Sequence, residues 1–257
     1  MHHRHIINTL AAAAVMTTSA SADGGLGDLL IYVDNGKLIT GHYDFDGGSG
    51  LVLDAGPTRV YTTEFEPDWE GGGTPGTDEP GIATDASHPN DPNGKLLDFP
   101  ANTALRATAN ILPTLGLNAA FWDGSGAVNF TATPHTLSIE DPFASITLDG
   151  STGTPVGSVS PWISGPNGTN HDHLEFLINE PDATATPGVY LFSLTFTAGS
   201  LVSDPVFFVA GFGLPEPQLD DAIVAAQAWV ESNVVPEPAT WFLGSLGALA
   251  LIYRHRD

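Results

Sequence analysis

Cysteine is absent from the 257 residues, and only 7 of them are Lys or Arg. The first absence excludes disulfides, thiolate zinc sites and a cysteine nucleophile. A chain without disulfides rests on its hydrophobic core or on bound cations. The second absence leaves 30 Asp and Glu against those few cations, a formal net charge of −23. Such a surplus argues against nucleic acid or anionic lipid as a partner and favours solubility and cation association. Between Asp23 and Asn233 the only cations are Lys37, Arg59, Lys95 and Arg106. Also missing are a Gly-x-Ser-x-Gly elbow, a phosphate-binding loop and a dinucleotide fingerprint. The expectation is a protein that is not an enzyme.

Glycine (29) and proline (20) are frequent, and most apolar runs are short and alternate with polar residues. Alternation at a period of two is the mark of half-buried strands. Leu29 to Asp34 and Lys37 to Asp44 flank Asn35-Gly36, a strong hairpin signal. Thr58 to Phe65, Thr103 to Asn110, Ala127 to Thr131, His135 to Glu140, Ala144 to Leu148, His171 to Ile178, Val189 to Ala198 and Pro205 to Phe212 read as further strands. Glu66 to Gly94 and Ser151 to Thr169 read as long connections rich in Gly and Pro. One helix is expected from Asp220 to about Asn233, with Asp220 and Asp221 at the positive end of its dipole. The fold class is therefore all-β: an antiparallel β-sandwich with one C-terminal helix, followed by a further hydrophobic C-terminal helix. Two smaller β domains, divided within Glu66 to Gly94, are the second reading.

The two ends differ from the middle. His2-His3-Arg4-His5, the apolar run Ile6 to Met16 and the small residues Ser19-Ala20-Ser21-Ala22 have the order of a signal peptide over residues 1–22. An exported β-sandwich is then expected over 23–233. At the other end, Pro236-Glu237-Pro238 precedes the uncharged, mostly apolar segment 239–253, and Arg254 and Arg256 follow. As a helix those 15 residues would span about 22 Å. A bilayer core of about 30 Å usually needs nearer 20 residues, so the segment is marginal as a permanent anchor. The basic tip keeps the C-terminus cytoplasmic. The triplet, the apolar run and the basic tip together resemble the PEP-CTERM sorting signal of Gram-negative bacteria, placed here at 234–257 with a transmembrane segment at 239–253. The resemblance implies export, transient anchoring in the inner membrane, cleavage by an exosortase near the triplet, and delivery to the cell surface or beyond. Its implied partners are the exosortase and the secretion machinery.

One constellation could carry chemistry. In His171-Asp172-His173-Leu174-Glu175-Phe176-Leu177-Ile178, strict alternation puts His171, His173 and Glu175 on one face of a strand. Imidazole with carboxylate suits divalent transition metals. A further ligand would come from His42, His135 or His88, with His42 favoured by its place near the end of a strand. The cofactor such a set would hold is a divalent metal: zinc, manganese or calcium. Asp44 to Gly50 and Asp85 to Gly94 are oxygen-rich loops that could also attract calcium, although neither has the spacing of an EF-hand. The run His171-x-His173-x-x-Phe176, with Pro187-Gly188-Val189-Tyr190 after it and Gly41-His42-Tyr43-Asp44 before it, resembles elements of bacterial surface-anchored domains of the choice-of-anchor type. Two functional readings follow. One is a non-catalytic surface protein of the envelope or extracellular matrix, with exopolysaccharide or envelope components as partners. The other is a divalent-metal module or metal-dependent enzyme built on the His-x-His strand.

Overall fold

The computed structural model describes residues 27–44, 51–54, 57–84, 99–166, 168 and 170–235. The expected signal peptide, the calcium-type loops beyond Asp44 and Thr84, and the 239–253 segment lie outside them. The chain is mostly β. The hairpin forms as its turn chemistry demands: β1 (Asp28–Asp34) and β2 (Lys37–Asp44) pair from Asp34↔Lys37 outward. Asn35 and Gly36 take φ of 49° and 76°, the left-handed pair that a tight hairpin turn needs. β3 (Leu51–Asp54) adds to β2, and β4 (Val60–Glu64) follows.

The stretch read as a long loop is instead partly ordered. It holds a short 3₁₀ turn (Trp69–Gly71), β5 (Gly76–Thr77) and β6 (Ile82–Thr84). These pieces are too short, and too rich in Gly and Pro, to show any period. The two strands persist because each pairs with a strand remote in sequence. After them come β7 (Ala104–Ala109), β8 (Ala120–Trp122), β9 (Thr131–Ala132), β10 (Leu137–Asp141), β11 (Ala144–Leu148) and β12 (Val159–Ile163). β12 lies inside the second expected connection. The last strands are β13 (Asn170–Asp172), β14 (Glu175–Ile178), β15 (Gly188–Ala198), β16 (Leu201–Val202) and β17 (Val206–Phe212), before helix α1 (Gln218–Asn233).

Three sheets form. The largest runs β12-β7-β15-β17-β4, with β8, β9 and β16 added through β15 and β8. Two smaller sheets, β13-β6-β1-β2-β3 and β11-β10-β14-β5, cover one of its faces. Most pairings are antiparallel; β1 with β6 and β4 with β17 are parallel. The main core lies between the layers. Tyr190, Phe192, Leu194 and Phe196 point into it from β15, and Leu29, Ile31, Ile139, Phe176 and Ile178 meet them from the smaller sheets. Val189 and Leu191 alternate to the opposite face, where Leu219, Ala222, Ile223, Ala226 and Val230 of α1 cover them. Those helix residues recur at helical spacing, which is why the helix buries one stripe.

The run His171 to Ile178 is not one strand. β13 pairs with β6 in one small sheet, and β14 pairs with β10 and β5 in the other. The break falls at His173-Leu174. Beyond Asp172 the partner β6 offers no further residue to pair with, and Leu174 turns inward to full burial. The alternation is real on both sides of that crossover, but it belongs to two different sheets.

Phe208 sits at the centre of the core, 1% exposed, with its ring 5.2 Å from Phe192 and 5.4 Å from Phe176. Phe208→Ala should cost about 3–5 kcal/mol, because the rigid layers around it cannot collapse into the cavity. Denaturant unfolding of the purified variant checks this.

Candidate functional site

β6 is the element that assembles the site. It runs parallel to β1 on one side and antiparallel to β13 on the other. Leu30 pairs with Ala83, and Ala83 with His171, so His171 shares the outward face of this sheet with Leu30 and Asp28. His171 Nε2 lies 3.0 Å from Asp28 Oδ2. The Asp28 side chain is 10% exposed and that of His171 22%, so the pair is largely sheltered but open to solvent.

Gly81, just before β6, is the point on which the side chains converge. Its carbonyl accepts a 2.8 Å hydrogen bond from the Leu29 amide. A Cβ on it would lie 2.5 Å from Asp28 Oδ1, 2.8 Å from His171 Nε2 and 2.8 Å from His173 Cε1. Only hydrogen fits there. The imidazoles of His171 and His173 stand edge to face, with centroids 4.8 Å apart. His173 thus reaches the same spot although the strand has already ended.

The chain before Gly81 supplies the other half. His173 Nδ1 is 3.0 Å from the Asp78 carbonyl oxygen, a hydrogen bond that only an Nδ1–H can donate. That tautomer leaves the lone pair on Nε2, the arrangement by which second-shell carbonyls orient metal-binding histidines. Asp78 Oδ2 lies 3.7 Å from the same ring nitrogen. Glu79 Oε2 accepts the Gly81 amide at 3.2 Å. Asp78, Glu79 and His173 each offer a ligand atom, and these lie within 4.8 Å of one another. Burial pushes the Glu79 carboxyl above its ordinary value; the Gly81 amide and His173 oppose that, and Asp28 and Asp78 add to it. Asp28, His171 and His173 therefore crowd one face of Gly81, and Asp78 and Glu79 stand beside His173. Two donor atoms bound to one metal at about 2.1 Å lie roughly 3.0–3.4 Å apart, so the Asp28–His171 spacing fits a shared ion.

The four residues named from sequence separate. His171 and His173 come together. Glu175 does not join them: it points outward from β14, opposite Glu140 and near Glu70. His42 pairs with Leu29 and so faces the core side of its sheet, away from His171. Its ring meets Tyr61 edge-on at 5.1 Å. His135 is held 2.8 Å from Thr186 Oγ1 and 3.7 Å from Glu180. His88 lies outside the described residues. Asp28, Asp78, Glu79 and Gly81 were not singled out in the sequence. Asp28 carried one usable signal, as a polar residue of β1 that shares parity with Leu30 and Tyr32. Asp78 and Glu79 are lost among the many acids around them. A second acidic group, Glu64, Glu216 and Asp220, gathers near the start of α1 without any imidazole.

Fold and site together define a mostly β protein with an imidazole–carboxylate cluster on one outer face. Residues 234–256 match the PEP-CTERM protein-sorting motif. The chain thus carries the sorting motif of an exported protein that passes through the membrane and is processed by an exosortase. No curated protein matches the chain. Among the described residues no helix is long and apolar enough to cross a membrane.

Gly81→Ala should destabilise the fold by about 1–3 kcal/mol, because the new methyl must displace Asp28 and both imidazoles. Denaturant unfolding reports the loss, and the ring-proton NMR signals of His171 and His173 should move with it.

Proposed function

We propose that the chain is a non-catalytic, surface-targeted protein of the envelope or extracellular matrix, and that its sandwich binds one divalent metal through His171, His173 and Asp28. The observation that carries the metal is the convergence of those side chains, from two chain segments remote in sequence, on the bare face of Gly81. Glu79 and Asp78 complete the donor set. Mixed nitrogen and oxygen ligation favours zinc or manganese over calcium, which prefers oxygen alone. Glu175 and His42 are too differently placed to serve the same ion. The non-catalytic part rests on the missing nucleophile and cofactor motifs, and the surface part on the sorting motif.

Elemental analysis of the exported protein should find close to one zinc or manganese per chain. His171→Ala with His173→Ala should remove it, and titration calorimetry should then show no residual site. Metal-free wild-type protein that takes up no zinc or manganese would sink the proposal.

The pH dependence has a fixed sign. A bound imidazole must be neutral, so affinity should fall as pH is lowered and protons compete with the metal for the ring nitrogens. Glu79, whose carboxyl is held above its ordinary value, acts in the same direction because its protonation also removes a donor. Calorimetry at several pH values tests this. A separate measurement tests processing: mass spectrometry of the surface form should place its C-terminus near Pro236-Glu237-Pro238, with Arg254 and Arg256 gone.

A further inference from the structure

Glu175 points to a second site. Alternation in β14 sends Phe176 and Ile178 into the core and leaves Glu175 and Leu177 on the outer face of their sheet. Beside them the chain from Glu66 to Gly76 closes into a loop, with Glu66 and Gly76 exchanging both backbone hydrogen bonds at 2.8 and 3.0 Å. Trp69 lies at its tip and folds back over Gly76. A Cβ on that glycine would sit 2.4 Å from Leu177 Cδ2 and 3.0 Å from Trp69 Cγ, so the indole can lie this close only because residue 76 has no side chain. The result is a groove of about 740 Å³ with Trp69 and Leu177 as apolar wall and floor, and Glu70, Glu175, Asn179 and Glu180 as polar lining. That volume is within the usual range for small-ligand sites.

Three features mark the groove as a built site. First, the loop is held in an unfavourable backbone. Asp68 and Glu70, on either side of Trp69, have φ of 53° and 51°, a region side-chain-bearing residues rarely adopt. Asp68 Oδ1 fixes it by accepting the Gly73 amide at 2.5 Å, and the Trp69 amide donates to the Thr74 carbonyl at 2.9 Å. Such strain collects where a side chain must be presented. Second, the buried Trp69 Nε1 finds no acceptor among the described residues, a donor left over by the fold. Third, the lining carries three carboxylates and no cation.

We propose that this groove binds a polymer of amino sugars, with a pyranose ring lying on the Trp69 indole and its protonated amine among Glu70, Glu175 and Glu180. The indole offers a flat apolar face and attracts a cation placed over it. The carboxylates supply the opposite charge, and Asn179 can bond a ring hydroxyl either as donor or as acceptor. Burial raises the proton affinity of Glu175, with Glu70, Glu140 and Asp78 adding to it, so a bound ammonium relieves a repulsion already present. A lysine side chain has the charge but no ring to cover the indole. A neutral sugar has the ring but brings no charge to Glu70 and Glu175, which repel one another. The site is separate from the proposed metal centre and does not depend on it.

The test is calorimetric titration of the exported protein at pH 6 with a fully deacetylated glucosamine hexamer. Saturable binding is expected, weakened by added salt. The N-acetylated hexamer, a glucose hexamer and a lysine hexapeptide should each bind at least tenfold more weakly. Trp69→Ala should lower affinity at least tenfold, Trp69→Phe less, and Glu175→Gln severalfold, while the His171→Ala, His173→Ala protein should bind as wild type. Circular dichroism confirms that each variant is folded; Trp69→Phe and Glu175→Gln keep the test decisive if Trp69→Ala is not. The proposal is overturned by any of three results: no binding of the deacetylated hexamer, equal affinity for a neutral hexamer or the lysine peptide, or unchanged binding in the folded Trp69 and Glu175 variants.

Discussion

Burial of β15 on both faces is the constraint on which the rest depends. Its strand runs for 11 residues and pairs with β7 and β17, with β8 and β16 attached along it. One set of its side chains builds the main core and the other seats the helix. Stacking of Phe192 on Phe208, at 5.2 Å and 5° between planes, locks β15 to β17, and Phe176 leans on both from the facing layer. The two small sheets are short and could not bury enough surface alone. They hold because the large sheet gives them a common apolar floor.

How much of this was legible depends on length and parity. The β1–β2 hairpin, β7, β11 and β15 could be read because each is a sustained alternating run with a clear turn beside it, and β17 because it is an unbroken apolar run of strand length. β5, β6 and β13 could not: three residues or fewer carry no period, and their existence depends on partners far along the chain. The candidate site is built on those short strands, which is why only its histidines stood out. His171 and His173 were paired for a reason that proved incomplete. They meet because β13 ends between them and the chain turns over Gly81, not because they share a strand face with Glu175. The parity argument carried Glu175 to the right orientation, outward, but in another sheet.

Charge distribution explains a further division of labour. Arg59 is committed to the scaffold: its Nε donates to the Pro205 carbonyl at 3.0 Å and its guanidinium lies 5.7 Å from the Phe207 ring centroid, tying the start of β4 to β17. With so few cations available, acids that meet on the surface meet without compensation. Glu64, Glu79 and Glu175 are all pushed above their ordinary carboxyl values, first by burial and then by acidic neighbours. The side chains beside them differ from place to place: imidazoles at Gly81, an indole at Gly76.

The position of α1 has a consequence for display. The helix covers the face of the large sheet opposite to the two small sheets, and the described chain ends at Val235, one residue after the buried Val234. A body held by that end would be held on its helical side. The outward faces carrying His171 and Trp69 would then lie on the side remote from the point of attachment.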